Sequence, residues 1–304
     1  MENEILDWLA ENIPQNHERI HIGIGDDAAV LNLPTGHSQK LVVTSDSLIQ
    51  GVHFDERLTM QQVGRKALAV NLSDLAAMAA LPHSAIISLC LPRNFELQQI
   101  KQLYSGILEL AQQFDCPVVG GDTNCGSSQL VISVTAMGTL PNQNAWRLDG
   151  AQTGDCILVS GSFGNSIEGK HYSFEPRVKL AQRLASKFQI NAATDVSDGL
   201  SLDLSRICNA SKLGFRIEED AIPISAAAVK QSAEHPALQA ALSDGEDFEL
   251  ILACSMEEWK RIQNQEPTIA DELSMIGQFQ HKRSFELVNT EGQVITIEPA
   301  GYIH

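Results

Sequence analysis

The sequence predicts an α/β protein of two domains, and three observations carry that expectation. At 304 residues the chain can bury a substantial core, and its length favours roughly two domains. Short apolar runs of strand character alternate with helical periodicity through the first half. Around Arg147-Leu148-Asp149-Gly150-Ala151-Gln152-Thr153-Gly154-Asp155 the alternation breaks into turn residues and then restarts. The boundary is therefore placed near residue 140, dividing the chain into 1–140 and 141–304.

Taken in order, Ile5, Leu9 and Ile13 mark an amphipathic N-terminal helix without the basic start and long apolar run of a signal peptide. Strands are expected over Ile20 to Ile24, Leu41 to Ser45, Ser84 to Leu91 and Leu130 to Met137, and helices over Met60 to Ala80 and Glu96 to Phe114. Pro92 and Pro117 punctuate element ends. The second half opens with a strand from Cys156 to Ser160 and a glycine-rich loop from Gly161 to Gly169. A helix over Pro176 to Phe188 follows, then another beginning after Asp198-Gly199 and closing at Gly214. Strand-like runs recur around Phe248 to Cys254 and Ile295 to Ile297.

Hydrophobic content of 43% with 19% charged residues describes a soluble globular protein. The formal charge of −17 argues against nucleic acid and against an anionic membrane surface, since both require a basic stripe that this sequence lacks. An anionic ligand must therefore enter through metal ions or a few local cations. The six cysteines, Cys90, Cys116, Cys125, Cys156, Cys208 and Cys254, show neither a CxxC pair nor zinc spacing, which points to free thiols in a reducing cytoplasm.

Six acidic clusters carry the functional signal: Asp26-Asp27, Asp46, Asp74, Asp122, Asp195 with Asp198, and Glu246-Asp247. Most sit at the ends of apolar runs or inside them, where an unpaired carboxylate is costly. Carboxylates gathered with nothing between them raise one another's pKa, whereas a divalent cation keeps them ionised. Several Mg²⁺ ions are the expectation. Thr44-Ser45-Asp46 ends an apolar strand in hard oxygen ligands, although a turn cap would look the same. Asp74 lies in an Ala- and Leu-rich helix that should be packed on most sides, where the bland alternative is a partner such as Asn71 or an Arg. Gly120-Gly121-Asp122 allows backbone N–H groups to approach a phosphate while the carboxylate takes a metal. Asp195-Val196-Ser197-Asp198 precedes a helix that one cap residue would satisfy, and the second acid has no such role.

Two phosphate-loop patterns fail on their chemistry. Gly23-Ile24-Gly25-Asp26-Asp27-Ala28 matches a dinucleotide motif, but its two Asp would repel a pyrophosphate and strand-like residues follow where a helix is required. In Gly164 to His171 the position that should supply a metal-binding hydroxyl is His171. The second pattern therefore reads as an ordinary glycine-rich loop with Lys170 solvated.

In order along the chain, Gly23-Ile24-Gly25-Asp26-Asp27-Ala28-Ala29, Thr44-Ser45-Asp46, Gly51-Val52-His53-Phe54, Ala69-Val70-Asn71-Leu72-Ser73-Asp74-Leu75-Ala76-Ala77-Met78, Gly120-Gly121-Asp122-Thr123, Asp195-Val196-Ser197-Asp198-Gly199-Leu200 and Gly245-Glu246-Asp247-Phe248-Glu249-Leu250 closely resemble the bacterial thiamine-monophosphate kinases. Each piece is weak alone, and the ordered set is specific. The resemblance implies the fold of the aminoimidazole ribonucleotide synthetase-like ATP-binding superfamily, with an N-terminal domain that dimerises through a shared β-barrel and a C-terminal α/β domain completing the active site. It implies ATP-dependent phosphorylation of thiamine monophosphate to thiamine diphosphate, by a cytoplasmic homodimer.

Carried over by motif, Asp27, Thr44, Ser45, Asp46, Asp74, Asp122, Asp195 and Asp198 are expected to hold Mg²⁺. Tyr104, Gly120, Gly121, Arg147 and Ser197 are expected to contact ATP as co-substrate, and His53, Glu246 and Tyr302 to bind thiamine monophosphate. The segment between Gly169 and Pro176 is shorter than in many relatives. Phosphoryl transfer to an already ionised phosphate asks for positioning and charge neutralisation, so no protein nucleophile is expected. The competing reading from another class is a catalytically silent Mg-nucleotide sensor of the same fold.

Overall fold

The computed structural model describes residues 20–22, 26–32, 40–140, 144–233 and 235–302. The expected N-terminal helix through Ile5, Leu9 and Ile13, and the glycines Gly23 and Gly25, lie outside the described residues. The first half contains β1 (Ile20–Ile22), β2 (Ala29–Asn32), β3 (Lys40–Ile49), helix α1 (Met60–Ala77), β4 (Leu81–Pro92), α2 (Leu97–Gln113), β5 (Val118–Ser127) and β6 (Val131–Thr139). Its strands form a 6-stranded sheet in the order β1-β2-β3-β6-β4-β5. All pairings are antiparallel except β4 with β5, which α2 connects as a crossover.

Burial alternates along β6, with Ile132, Val134 and Ala136 fully covered and the residues between them half-exposed. One face of the sheet packs on α1 and α2, and the other is turned outward. The strand expected to stop at Ser45 runs on to Ile49, because the alternation continues past the hydroxyls and Leu48 returns to the core. The helix expected to reach Ala80 ends at Ala77, where Ala79 takes a left-handed φ of 54°.

The second half contains β7 (Cys156–Ser160), α3 (Lys170–Ser173), α4 (Val178–Ala185), β8 (Ala192–Asp195), α5 (Leu200–Ser211), β9 (Gly214–Glu218), α6 (Ala226–Lys230), α7 (Ala237–Ser243), β10 (Leu250–Cys254), α8 (Met256–Gln265), α9 (Pro267–Ala270), β11 (Leu273–Gln280), β12 (Phe285–Val288) and β13 (Val294–Thr296). Its 7-stranded sheet runs β13-β12-β9-β11-β7-β10-β8. Gly214, read as a helix stop, starts β9 instead; Lys212 ends the helix in the left-handed conformation at φ 61°.

β7 and β10 are buried on both faces, which explains their unbroken apolar sequences. Cys156, Leu158, Leu252 and Cys254 join a core that is continuous with the first half, while Ile157, Val159, Ile251 and Ala253 face a second core beneath α5. The two halves therefore share apolar interior. Helix α1 is the element at the join, contacting α2, β3 and β6 on one side and α3, α4 and β8 on the other. A capping box between Thr59 and Gln62 starts it, and Gly64 permits α2 to approach.

A Cβ added at Gly64 would stand 1.9 Å from the Leu103 carbonyl oxygen, and one at Gly106 would stand 1.9 Å from that of Gln61. Helix propensity alone predicts that Gly64→Ala stabilises by about 1 kcal/mol. The backbone contact reverses the sign, because the helices must separate and uncover packed Leu and Ala side chains. Gly64→Ala should lower stability by about 2 kcal/mol or more in denaturant unfolding, and an increase would mean that the crossing is looser than this geometry.

Candidate active site

A cavity of about 860 Å³ opens between the two halves, and both contribute its walls. Its acidic end is built from Asp26 and Asp27 before β2, Asp46 on β3, Asp74 on α1, and Asp195 and Asp198 around the end of β8. Period-two geometry points Thr44 and Asp46 toward α1. There the Thr44 hydroxyl donates to Asp74 Oδ2 at 2.5 Å. Ser73 donates to Asp195 Oδ2, and Thr194 Oγ1 donates to Asp27 Oδ1 at 2.9 Å. Asp27 Oδ2 is buried and has no hydrogen-bond partner among the described residues.

Such a cluster is costly for ionised carboxylates. Burial, reinforced by Asp195 and Asp26, pushes Asp27 well above the usual carboxylate range. Burial with the neighbouring Asp46 and Asp195 does the same to Asp74. Burial raises Asp46, and it pushes Asp195 up to about 7 and Asp26 to about 6. Among the described residues no three Asp, Glu, His or Cys side chains form a ready-made coordination sphere. That arrangement still suits Mg²⁺, which commonly takes one or two carboxylates and completes its shell with water and phosphate oxygens. The hard oxygen donors and the orphaned Asp27 oxygen fit such an ion.

Among the described residues the bland partners considered for Asp74 are absent from it: Asn71 donates to the Ala67 carbonyl, and no Arg reaches the carboxylate. Asp198 does have a partner in the chain, since Arg206 pairs with both Asp198 and Asp203. Neither Ser197 nor Asp198 caps α5. The amides of Asp198 and Gly199 donate instead to Asp203 Oδ2 at 3.0 and 3.1 Å.

His53, Val52, Ile167, Phe248, Glu246 and Tyr302 also line the cavity, and the Tyr302 amide donates to the Asp198 carbonyl at 2.8 Å. Glu246 lies in a loop whose backbone is left-handed at three of four residues, with φ 74° at Gly245, 53° at Glu246 and 50° at Phe248. Its amide donates to the Ser197 carbonyl at 2.7 Å, which fixes the loop against the β8–α5 turn. Burial alone would raise the Glu246 carboxyl, but hydrogen bonds to His171 and Lys66 outweigh it and hold the group below its ordinary range.

Of the residues singled out in the sequence, Asp27, Thr44, Ser45, Asp46, Asp74, Asp195, Ser197, Asp198, His53, Glu246 and Tyr302 border this cavity. The Ser45 hydroxyl is nonetheless engaged with β6, donating to the Val134 carbonyl at 3.2 Å and lying 2.9 Å from Thr135 Oγ1. Tyr104, Gly120, Gly121, Asp122 and Arg147 do not border it. Gly121 is in register with Ile87, Val134 and Asp46, three strands away. At strand spacing that is about 14 Å. Asp122 is exposed on the outer edge of the sheet and accepts from Asn124 Nδ2 at 2.7 Å. Arg147 pairs with Asp149 at 2.7 Å beside the rim, and Tyr104 is half-buried on α2.

The glycine-rich loop is not a phosphate cradle, because its amides already hold carboxylates. Gly164 N donates to Asp247 Oδ2 at 3.0 Å and Asn165 N to Asp244 Oδ2 at 2.9 Å. Lys170 is not solvated as expected. It donates to the Ser162 carbonyl at 2.5 Å and pairs with Glu249 at 3.0 Å, spanning two buried acids because the short α3 folds back over the loop. Lys66 and Arg206 were missed altogether. Lys66 follows Arg65 in the more polar first half of α1, after Gln61 and Gln62, so its sequence surroundings read as a solvated turn of the helix.

A family model described as AIR synthase related protein, N-terminal domain, matches residues 25–140, and its C-terminal counterpart matches residues 144–285. The chain is 40% identical over 270 residues to the thiamine-monophosphate kinase of Rhodopirellula baltica, covering 85% of this chain and 83% of that protein. The chain belongs to the thiamine-monophosphate kinase family. A Bacillus subtilis member is 32% identical over 95% of both chains. Among solved structures, AaThiL complexed with AMPPCP and TMP superposes with a TM-score of 0.85 at 27% identity, covering 100% of this chain and 96% of that one. The kinase of Stenotrophomonas maltophilia gives a TM-score of 0.75 at 32% identity over 95% of each chain.

Two outcomes are expected from the geometry of this kinase-family cavity. Asp26 and Asp195 have folded-state values of about 6 and about 7, above an unfolded value of 3.8. Their contribution to stability is therefore fully present below the unfolded value and is lost as pH rises through the folded ones. With chelator present, the melting temperature should fall between about pH 4 and about pH 7, and added Mg²⁺ should restore it mainly at the upper pH; a flat profile would mean that the acids are compensated within the chain. Lys170→Ala should cost about 2 kcal/mol in unfolding free energy by leaving Asp247 and Glu249 with fewer partners. Its KM for ATP should stay within about tenfold of the parent, and a larger rise would return the loop to a phosphate-binding role.

Proposed function

We propose that this protein transfers the γ-phosphoryl group of ATP to the phosphate of thiamine monophosphate, forming thiamine diphosphate in the last step of that cofactor's biosynthesis. The observation that carries the proposal is that one large cavity gathers a cluster of carboxylates together with a second group, Glu246 and His53, which Lys66 joins, and with the aromatic Tyr302 beside Asp198. Membership of the kinase family supports it, as does a close structural relative described as holding AMPPCP and TMP.

In this reading Asp27, Asp46, Asp74, Asp195 and Asp198, with Thr44, hold Mg²⁺ at the acidic end. Bound there, Mg²⁺ supplies neutralisation and alignment of the phosphate oxygens. Arg206 fixes Asp198 and Asp203, and Ser73 and Thr194 fix Asp195 and Asp27, so the carboxylates need little rearrangement when ligand arrives. Glu246 answers the positive charge of the thiamine moiety, and Tyr302 offers an aromatic face to its rings. Ser197 lies between the two ends, within reach of ATP.

The positions of Gly120, Gly121, Asp122 and Tyr104 fit a homodimer. The outward face of the first sheet carries Ser45, Ser47, Thr135 and Ser88 together with Ile86 and Val119, an amphipathic surface that a second copy would cover as a closed barrel. Each chain's Gly120-Gly121-Asp122 then serves the cavity of its partner, with Tyr104 and Arg147 bordering the shared nucleotide. The free cysteines suit a reducing cytoplasm, and no described helix is long and apolar enough to cross a membrane.

The decisive experiment is incubation with ATP, Mg²⁺ and thiamine monophosphate, followed by assay for thiamine diphosphate. Binding of Mg-ATP without product would favour the silent-sensor reading. Asp46→Asn and Asp74→Asn should each lower turnover by about a hundredfold or more with the fold retained. Mixing Asp46→Asn chains with Asp122→Asn chains under exchange should restore part of the activity, because one site of the mixed dimer is intact. No restoration would place both acids in the same chain's site.

A further inference from the structure

Lys66 is the largest fully buried side chain among the described residues, with 0% of its surface exposed. It does not border the large cavity, and nothing in the proposed chemistry uses it. Yet its ammonium is met by groups from three other segments. It donates to the His53 carbonyl at 2.7 Å and to Glu246 Oε1 at 2.6 Å, and its Nζ lies 3.2 Å from His171 Nδ1. With His171 Nδ1 bare, all three ammonium protons are used. With Nδ1 protonated, it faces Glu246 Oε2 at 3.4 Å instead, and Lys66 keeps its bonds to Glu246 and the His53 carbonyl.

His53 belongs to the turn after β3, Lys66 to α1, His171 to α3 and Glu246 to the left-handed loop before β10. The contact therefore ties the two residues assigned to the phosphate acceptor, one from each half of the chain, through a single buried cation. Glu246 remains partly open, with 30% of its side chain exposed, so its carboxylate faces the cavity while Lys66 holds it from behind. A Met at position 66 would satisfy the packing of α1 equally well. Packing does not explain a charge here, whereas orientation of Glu246 does.

We infer that Lys66 is a positioning residue for the acceptor half of the site, holding the Glu246 carboxylate and the His53 turn at a fixed separation so that a cationic phosphomonoester seats against them. The inference rests on the reading that Glu246 faces the acceptor. Lys66 acts through Glu246 and the His53 carbonyl and touches no substrate. Its loss should loosen the acceptor end and leave the acidic end, whose hydrogen bonds are independent of it, largely as it was.

The test is steady-state kinetics of the full-length enzyme with Lys66→Met, Glu246→Gln and the double variant, varying thiamine monophosphate and ATP separately. Lys66→Met should raise KM for the acceptor about tenfold or more while KM for ATP stays within about threefold. The double variant should be no worse in acceptor KM than Glu246→Gln alone, because both changes remove one interaction. If Glu246→Gln is acceptor-selective while Lys66→Met leaves both constants unchanged or moves them together, the inference falls and the assignment of Glu246 stands. If Glu246→Gln itself shows no acceptor selectivity, both fall. Should Lys66→Met fail to fold, comparing the double variant with Glu246→Gln decides the matter. Equal acceptor KM values support the inference, and a further rise of about tenfold overturns it.

Discussion

The fold of this chain is organised by the cost of burying several carboxylates in one cleft, to which their mutual repulsion adds. Asp27, Asp46, Asp74 and Asp195 are all pushed toward the protonated form, and hydroxyl donors from Thr44, Ser73 and Thr194 relieve only part of the cost. A fold tolerates such an arrangement only when rigid elements hold each acid and something outside the chain supplies positive charge. The rest of the architecture serves the first of those requirements. Two sheets bring their strand ends to the same cleft, and one helix spans the distance between them.

That helix is α1. Its sides are so fully covered that it has no solvent-facing stripe of the usual kind, and small residues let its neighbours approach closely. Because it packs against both halves, a side chain on it is positioned relative to both at once. Lys66, Val70, Ser73 and Asp74 fall on one side of α1 at helical spacing. This row faces the acceptor end through Lys66 and the acidic end through Asp74. A single rigid body thereby sets the distance between the two places where two anions must meet.

The sequence was most legible where a charge violated its local pattern. Asp74 in an apolar helix and Asp46 at the end of an apolar strand declared themselves, and both border the cavity. Lys66 broke no such rule, because Arg65 beside it and Gln61 and Gln62 before it make that turn of α1 read as polar. Strands with clean alternation or unbroken apolar runs, such as β6 and β7, were readable, whereas β9, β11 and β12 carry mixed patterns whose order depends on long-range pairing. Local spacing could not reveal that Asp122 stands three strands from Asp46, because strand order is a tertiary property. Nor could it show Lys170 paired, since the acids that receive it lie more than seventy residues away.

The loop that carries Glu246 has an evolutionary consequence. At φ 53° and φ 50° Glu246 and Phe248 occupy a backbone region that suits glycine or asparagine far better, so the native residues are maintained against their own conformational preference. Random variation at position 246 would find easier backbones in several directions, each erasing a carboxylate from the cleft. Lineages that no longer need the reaction would therefore drift there early, and a library sorted only for heat tolerance would tend to enrich the same replacements. The residue identity at this one turn is a compact record of whether selection still acts on catalysis.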